Sequence, residues 1–97
     1  MLKIIKVRGA SMEPTLVSGD YLICTKARTL RPGFVVLAAH SKYGVIVKRV
    51  SSIAEDSVRL EGDSSQSTAT EDLGEIPQRL VTYRARLAVT PRGVKRL

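Results

Sequence analysis

The chain contains few of the residues that support disulfide, metal or aromatic chemistry. Among its 97 residues there are one cysteine, Cys24, one histidine, His40, no tryptophan, and only one phenylalanine with three tyrosines. A lone cysteine cannot form an internal disulfide, and one His with one Cys does not provide the ligand spacing of a zinc site. We therefore expect no disulfide framework, no metal and no cofactor, with Cys24 as a small core residue of the apolar run 21–24.

Long hydrophobic runs are also missing. No apolar stretch approaches the ~20 residues that span a bilayer, and residues 1–8 are too short and too charged for a signal peptide. The length fits one small domain over residues 1–97, and the 43% apolar content is that of an ordinary globular chain.

The charge is unbalanced, with 16 Lys and Arg against nine Asp and Glu, for a net charge of +7. A basic excess can indicate a nucleic-acid or anionic-membrane partner. However, the chain has no run of five or six like charges and no aromatic platform beside the charges. The pattern favours a solvated basic face over a nucleic-acid site.

Short β-branched segments separated by Gly and Pro turns predict a mainly β fold, a sandwich or a barrel-like domain. Other signals predict a turn of helix within 75–80, a polar loop over 62–74 and a frayed basic tail over 90–97. The predicted strands are 2–8, 20–26, 34–39, 45–50, 57–61 and 81–89.

A serine at a rigid bend is the first candidate for chemistry. Ser11 follows the first predicted strand and precedes Pro14, whose ring fixes its own φ and pushes Glu13 toward extended geometry. Gly9 permits a positive φ or a close approach. This arrangement presents the Ser11 hydroxyl on a stiff turn, although Ser and Pro are also ordinary turn residues.

A serine hydroxyl needs a base, and His40 and Lys48 are the candidates. A triad would combine Ser11 and His40 with Asp20 or Asp63, but His40 lies at a strand end, where an exposed histidine is ordinary.

Lys48 shares a strand face with Ile46 and Val50. Burial there would lower its pKa and make its amine a base near neutrality. Periodicity alone favours a lysine whose amine extends to solvent instead.

Residues 9–20 resemble the motif Gly-x-Ser-Met-x-Pro-Thr-Leu-x-x-Gly-Asp of the LexA-type and type I signal-peptidase-type serine–lysine proteases. The resemblance implies a LexA/signal-peptidase-like coiled β domain, and it puts Ser11 at the nucleophile position. The matching positions are Gly9, Ser11, Met12, Pro14, Thr15, Leu16, Gly19 and Asp20.

Further segments extend this resemblance over roughly residues 5–83. The run 47–50, Val-Lys-Arg-Val, resembles the segment that carries the base lysine, which assigns that role to Lys48. The run 33–36 resembles a Gly-Asp-x-Val-Val strand with Phe34 in place of Asp. The run 61–64 resembles a Gly-Asp-Asn box with Ser64 in place of Asn. Supporting positions implied by the resemblance are Gly9, Pro14, Asp20, Asp63 and Ser67, the last aligned with a serine that bonds the base lysine in the signal-peptidase branch.

The resemblance implies a serine endopeptidase whose oxyanion donors are the backbone N–H groups of Ala10, Ser11 and Met12. It also implies an extended polypeptide substrate with a small residue before the cut. The ten residues before Ser11 contain no Ala-Gly or Cys-Gly bond and read as a core strand, so we expect cleavage in trans, such as maturation of a leader.

The alternative is a non-catalytic or autoproteolytic LexA-like dimerisation and binding module that acts with a DNA- or membrane-bound partner. The substituted box over 67–74, with Ala69, Thr70 and Glu71 at family Asp, Ser and Arg positions, favours it. We expect a polypeptide substrate, compatibility with a homodimer, no nucleic acid, and membrane contact only if an anchor was removed. The expected location is cytoplasmic, and the alternative is the extracytoplasmic part of a membrane-anchored protease.

Overall fold

The computed structural model describes residues 1–65 and 73–97. These residues form eight strands and one 3₁₀ turn over Gln78–Leu80. The mainly β fold expected from the sequence is confirmed. The strands are β1 (Leu2–Lys6), β2 (Tyr21–Lys26), β3 (Val35–His40), β4 (Gly44–Ile53), β5 (Ser57–Glu61), β6 (Glu75–Pro77), β7 (Val81–Thr90) and β8 (Gly93–Arg96).

All strand pairs are antiparallel, and the strands form a single curled sheet of order β1-β2-β7-β3-β4-β5-β6, with β8 added to β7. The two longest strands, β4 and β7, each pair with different strands along their length. β4 pairs with β3 through residues 44–49 and, on its other edge, with β5 only through 49–53. Residues 44–48 therefore do not pair with β5, and no other strand of residues 1–65 and 73–97 pairs with them on that side.

The apolar side chains separate into two clusters because strand residues alternate between the two faces of the sheet. One cluster joins the turn before β2 to β2, β3 and β7, and Val47 packs against its edge. The other joins β3, β4, β5 and β6, and Ile46 packs against it. The first contains Val7, Met12, Leu16, Leu22, Cys24, Val35, Leu37, Ala85 and Ala88. The second contains Val36, Ala38, Val50, Val58, Leu60, Leu73, Ile76 and Val81.

The prediction of a frayed tail over 90–97 is wrong. Residues Gly93–Arg96 form β8, which pairs with the last residues of β7, and the Leu97 amide donates to the Arg86 carbonyl oxygen at 3.0 Å. The segment predicted as a turn of helix within 75–80 contains β6 followed by the 3₁₀ turn.

Cys24 is fully buried, and this burial raises the pKa of its thiol to about 11, as suits a packing residue. Along the described stretches of the chain, no helix is long and apolar enough to cross a bilayer. Of the predicted polar loop 62–74, the structure describes 62–65 and 73–74, so the predicted role of Ser67 lies outside the described residues.

Candidate active site

The loop that carries Ser11 is closed at its base by backbone hydrogen bonds. The Val7 amide donates to the Asp20 carbonyl oxygen at 2.8 Å, and the Gly19 amide donates to the Val7 carbonyl oxygen at 2.9 Å. The buried Asp20 carboxylate accepts a bond from the Val17 amide at 3.0 Å. Asp20 therefore fixes the end of the loop, as short acidic side chains do in turns.

Two apolar side chains anchor the loop to the sheet. Met12 and Leu16 are 2% and 0% exposed and belong to the first cluster. Gly9 has a φ of +81°, a conformation that other residues rarely adopt, and the Glu13–Pro14 peptide bond is cis. Ser11, one residue before the Met12 anchor, stays half-buried, so its position is fixed while its surface remains accessible.

Lys48 is the buried cation of β4. It is 4% exposed, its partner across the β3–β4 pair is the fully buried Val36, and Ile46 and Val50 lie on its own strand face. Desolvation disfavours the ammonium form, so the pKa of Lys48 is lowered from its ordinary value. The amine is therefore more easily deprotonated than a surface lysine.

Ser11 and Lys48 line one cavity of about 470 Å³. Its walls are residues 5–12 on one side and Tyr43 with residues 45–48 on the other, and Leu73 completes it. The serine turn packs on the first cluster, whereas the neighbours of Lys48 belong to the second. The cavity thus lies where the two clusters meet, at the part of β4 that does not pair with β5.

A single carboxylate connects the serine loop to the lysine strand. Asp63 accepts two hydrogen bonds from Arg49, at 2.9 Å to Nε and 2.7 Å to Nη2, and a third from the Thr15 hydroxyl. The remaining Arg49 nitrogen, Nη1, donates to the Gly33 carbonyl oxygen at 2.7 Å. The Arg49 bonds lower the pKa of Asp63, and the same pairing raises the pKa of Arg49.

The residue after Asp63 makes a second connection, because the Ser64 amide donates to the Ser11 carbonyl oxygen at 3.0 Å. The Asp63 side chain, a supporting position implied by the resemblance, therefore bonds residues of both the serine loop and β4. Thr15, Arg49 and Ser64 were not predicted to work together. The available signal was that all three lie within the segments that carry the resemblance.

The backbone around Ser11 has donors available for a ligand. Across residues 1–65 and 73–97, the amides of Ala10, Ser11 and Met12 donate no backbone hydrogen bond, and the first bonded amide of the turn is that of Glu13, to the Ala10 carbonyl oxygen at 3.1 Å. Three successive amides beside a hydroxyl can hold a negatively charged oxygen.

His40 has a structural environment that differs from the exposed position expected for it. The imidazole is 9% exposed and its Nε2 lies 3.0 Å from the Leu73 carbonyl oxygen. Its Nδ1 accepts bonds from the amides of Lys42 and Tyr43 at 3.0 and 3.3 Å. Both ring nitrogens are therefore engaged with backbone, and His40 is not among the residues that line the Ser11 cavity. The described residues do not assemble a Ser11–His40–Asp triad.

Comparison with known proteins gives one family. The sequence model of the family described as Peptidase S24-like matches residues 1–82, a span that includes Ser11, Lys48 and Asp63. The chain has no significant match among the curated proteins or among the solved structures.

Proposed function

Because this chain belongs to the Peptidase S24-like family of the LexA and signal peptidase superfamily, we propose that it is a serine endopeptidase with Ser11 as nucleophile and Lys48 as general base. One observation carries the proposal: a half-buried serine on a rigid turn and a buried lysine with a lowered pKa line the same cavity. A hydroxyl becomes an effective nucleophile only when a neighbouring base takes its proton.

In the proposed reaction, neutral Lys48 Nζ accepts the proton of Ser11 Oγ as that oxygen attacks the carbonyl carbon of the substrate. The carbonyl oxygen then carries the negative charge of a tetrahedral intermediate. Protonated Lys48 returns the proton to the leaving amine, the C–N bond breaks, and an ester to Ser11 remains. Water, deprotonated by Lys48, hydrolyses this ester and restores the free hydroxyl.

The negatively charged oxygen requires donors, and the amides of Ala10, Ser11 and Met12 are the proposed ones. Removing one such donor typically costs ~10²–10³ in rate. The closed base of the loop and its anchors Met12 and Leu16 favour a preorganised position for these amides, since the loop cannot shift without breaking the bonds at Val7 and Asp20.

The shape of the cavity favours an extended polypeptide as substrate. Its walls include the end of β1 and the part of β4 that does not pair with β5. An extended chain can add to such an edge through main-chain hydrogen bonds, while side-chain pockets provide specificity. By resemblance, a small residue such as Ala precedes the cut. Cleavage in trans is supported by the residues before the serine loop, which are engaged in β1 and paired with β2.

Covalent labelling tests the proposal. A fluorophosphonate probe should modify Ser11, identified by peptide mass spectrometry, and the labelling should be lost in Ser11→Ala and strongly reduced in Lys48→Met. Ser18→Ala is the matched control, because Ser18 is an exposed serine of the same loop and should be dispensable. An unlabelled wild-type protein that sediments as a dimer would instead support the non-catalytic binding module.

A further inference from the structure

A second cavity, of about 500 Å³, shares no lining residue with the Ser11 cavity and is formed by Met1, the end of β2, the segment 27–34 and β7. Its charged lining residues are all basic: Lys26, Arg28, Arg31, Arg84 and Arg86. None of the described residues around it is Asp or Glu. Burial and the neighbouring Arg86 lower the pKa of Arg84, which marks a site where positive charges are close together without an acidic partner.

The charge pattern of the chain explains why this site is uncompensated. Residues 21–54 contain six Lys and Arg and no Asp or Glu, and residues 76–97 contain six more Lys and Arg and again no Asp or Glu. These two stretches supply β2, β3, β4, β7 and β8. Most residues of the basic cavity thus come from segments without acidic side chains, and the ligand that would balance their positive charge is an anion.

Phe34 is the one aromatic residue among the described residues that line the basic cavity, and its ring is covered by an arginine side chain. The guanidinium carbon of Arg84 lies 3.4 Å from the centroid of the Phe34 ring. Arg86 Nε donates to the Thr25 hydroxyl at 2.9 Å, which fixes a second guanidinium. A covered ring offers no stacking surface for a nucleobase, whereas held guanidinium groups suit carboxylates.

β1 connects the basic cavity to the Ser11 cavity. Met1, which precedes β1, lines the basic cavity, and Ile5, near its other end, lines the Ser11 cavity. Four residues of strand cover roughly 14 Å. β1 is the last strand of the sheet, and it exposes Leu2 and Ile4 at 66% and 65%. An extended chain can therefore follow β1 from one cavity to the other.

We propose that the basic cavity binds an acidic segment of the polypeptide substrate, about four to six residues along the chain from the bond that is cut. The placement relative to the cut rests on the proposed function; the anion site itself does not. Substrates of this class carry clustered Asp or Glu on one side of the cleavage site, separated from it by a short segment that lies over Leu2 and Ile4.

Binding of defined peptides tests the anion site without requiring catalysis. The probe is a fluorescein-labelled peptide of Ala residues followed by four Glu, its control carries Gln in place of Glu, and both are titrated into Ser11→Ala protein. We expect the Glu peptide to bind about tenfold tighter, a difference of ~1.4 kcal/mol, and the difference to shrink with added salt because the charges are partly exposed.

Two charge-matched variants locate the binding. Arg28→Gln/Arg31→Gln removes two exposed charges of the basic cavity and should weaken the Glu peptide about fivefold or more. Arg92→Gln/Arg96→Gln removes the same net charge near β8 and should change its affinity less than about twofold. Equal losses in both variants, or tighter binding of a single-stranded oligothymidylate than of the Glu peptide, would overturn the proposal.

Protection of Ser11 tests the connection between the cavities. With five Ala between its amino terminus and the Glu cluster, the peptide should slow fluorophosphonate labelling of Ser11 at lower concentration than the Gln control, and Arg28→Gln/Arg31→Gln should remove this advantage. Equal protection by both peptides would refute the route along β1. If Ser11 cannot be labelled at all, the proposed function fails, while the titration still decides the anion site.

Discussion

The amide nitrogen of Ser64 lies 3.0 Å from the carbonyl oxygen of Ser11. This bond joins two segments more than fifty residues apart in the sequence, and Asp63 adds to it by bonding both Thr15 and Arg49. The serine loop and the lysine strand are therefore connected through residues 63–64 as well as through the cavity they line. Positions of reacting groups that depend on such connections are sensitive to small displacements.

We predict that Asp63→Asn destabilises the protein by about 1–3 kcal/mol, because it replaces charge-assisted bonds to a partly buried guanidinium. The side chains of Arg49 and Asp63 are only 29% and 15% exposed. The measurement is urea unfolding. Glu75→Gln is the matched control: its pair with Arg59 is 3.3 Å long and about half exposed, so it should cost at most ~1 kcal/mol. Equal losses would contradict the bridging role.

The contribution of the Asp63 carboxylate to the free energy of unfolding should depend on pH in a defined direction. Its folded pKa is lowered by Arg49, below an unfolded value of about 3.9, so the folded state favours the ionised form. The stabilisation is therefore present above about pH 4 and is lost as the pH falls through the lowered folded pKa. We expect the stability difference between wild type and Asp63→Asn to be constant near neutrality and to shrink below about pH 4. A difference that grew on acidification would contradict this assignment.

For Lys48, we predict that the rate of Ser11 labelling rises with pH along an ionisation below the ordinary lysine value of about 10.4, since only the neutral amine can accept a proton. Lys48→Arg should lose about 10²–10⁴ in rate at pH values above that ionisation, because a guanidinium stays charged. Lys48→Met should also lose the pH dependence. Labelling that is fastest at acid pH would identify a different base.

The same burial predicts the effect of Lys48→Met on stability. The folded state disfavours the ammonium form, so the unfolded chain binds more protons than the folded chain between the lowered pKa and about 10.4. Wild type should therefore gain stability relative to Lys48→Met as the pH rises through that window. Chemical denaturation at several pH values measures this, and a gap that is independent of pH would show that Lys48 titrates normally.

The strand face of Lys48 could be predicted because strand periodicity is a local property, whereas its burial could not, since periodicity alone favoured an amine that extends to solvent. Alternate residues of a strand face the same side, so a lysine between Ile46 and Val50 had to share their face. The Ser11 turn was predictable for a similar reason, since Gly9 permits a positive φ and Pro14 restricts the backbone locally.

The pairing of strands that are distant in the sequence could not be predicted from such local patterns. The first residues of β7 pair with β3. The last residues of β7 extend beyond β3, and β8 pairs with them there. The basic sequence of residues 93–96 does not indicate that part of β7 is available for pairing, which is why the tail was expected to fray. The partners of Asp63 likewise depend on how the serine loop and β4 pack together.

Histidine 40 provides the last prediction, because it separates a structural role from a catalytic one. His40 accepts bonds from the amides of Lys42 and Tyr43, so its other nitrogen is the one that donates to the Leu73 carbonyl oxygen. We expect His40→Ala to cost about 1–3 kcal/mol, since it leaves those backbone groups without their partner. Labelling of Ser11 should persist at a temperature where the variant is folded. Lys42→Gln, an exposed change in the same turn, is the control and should alter neither property. A folded His40→Ala protein that no longer labels would make the imidazole the base and restore the triad that the geometry argues against.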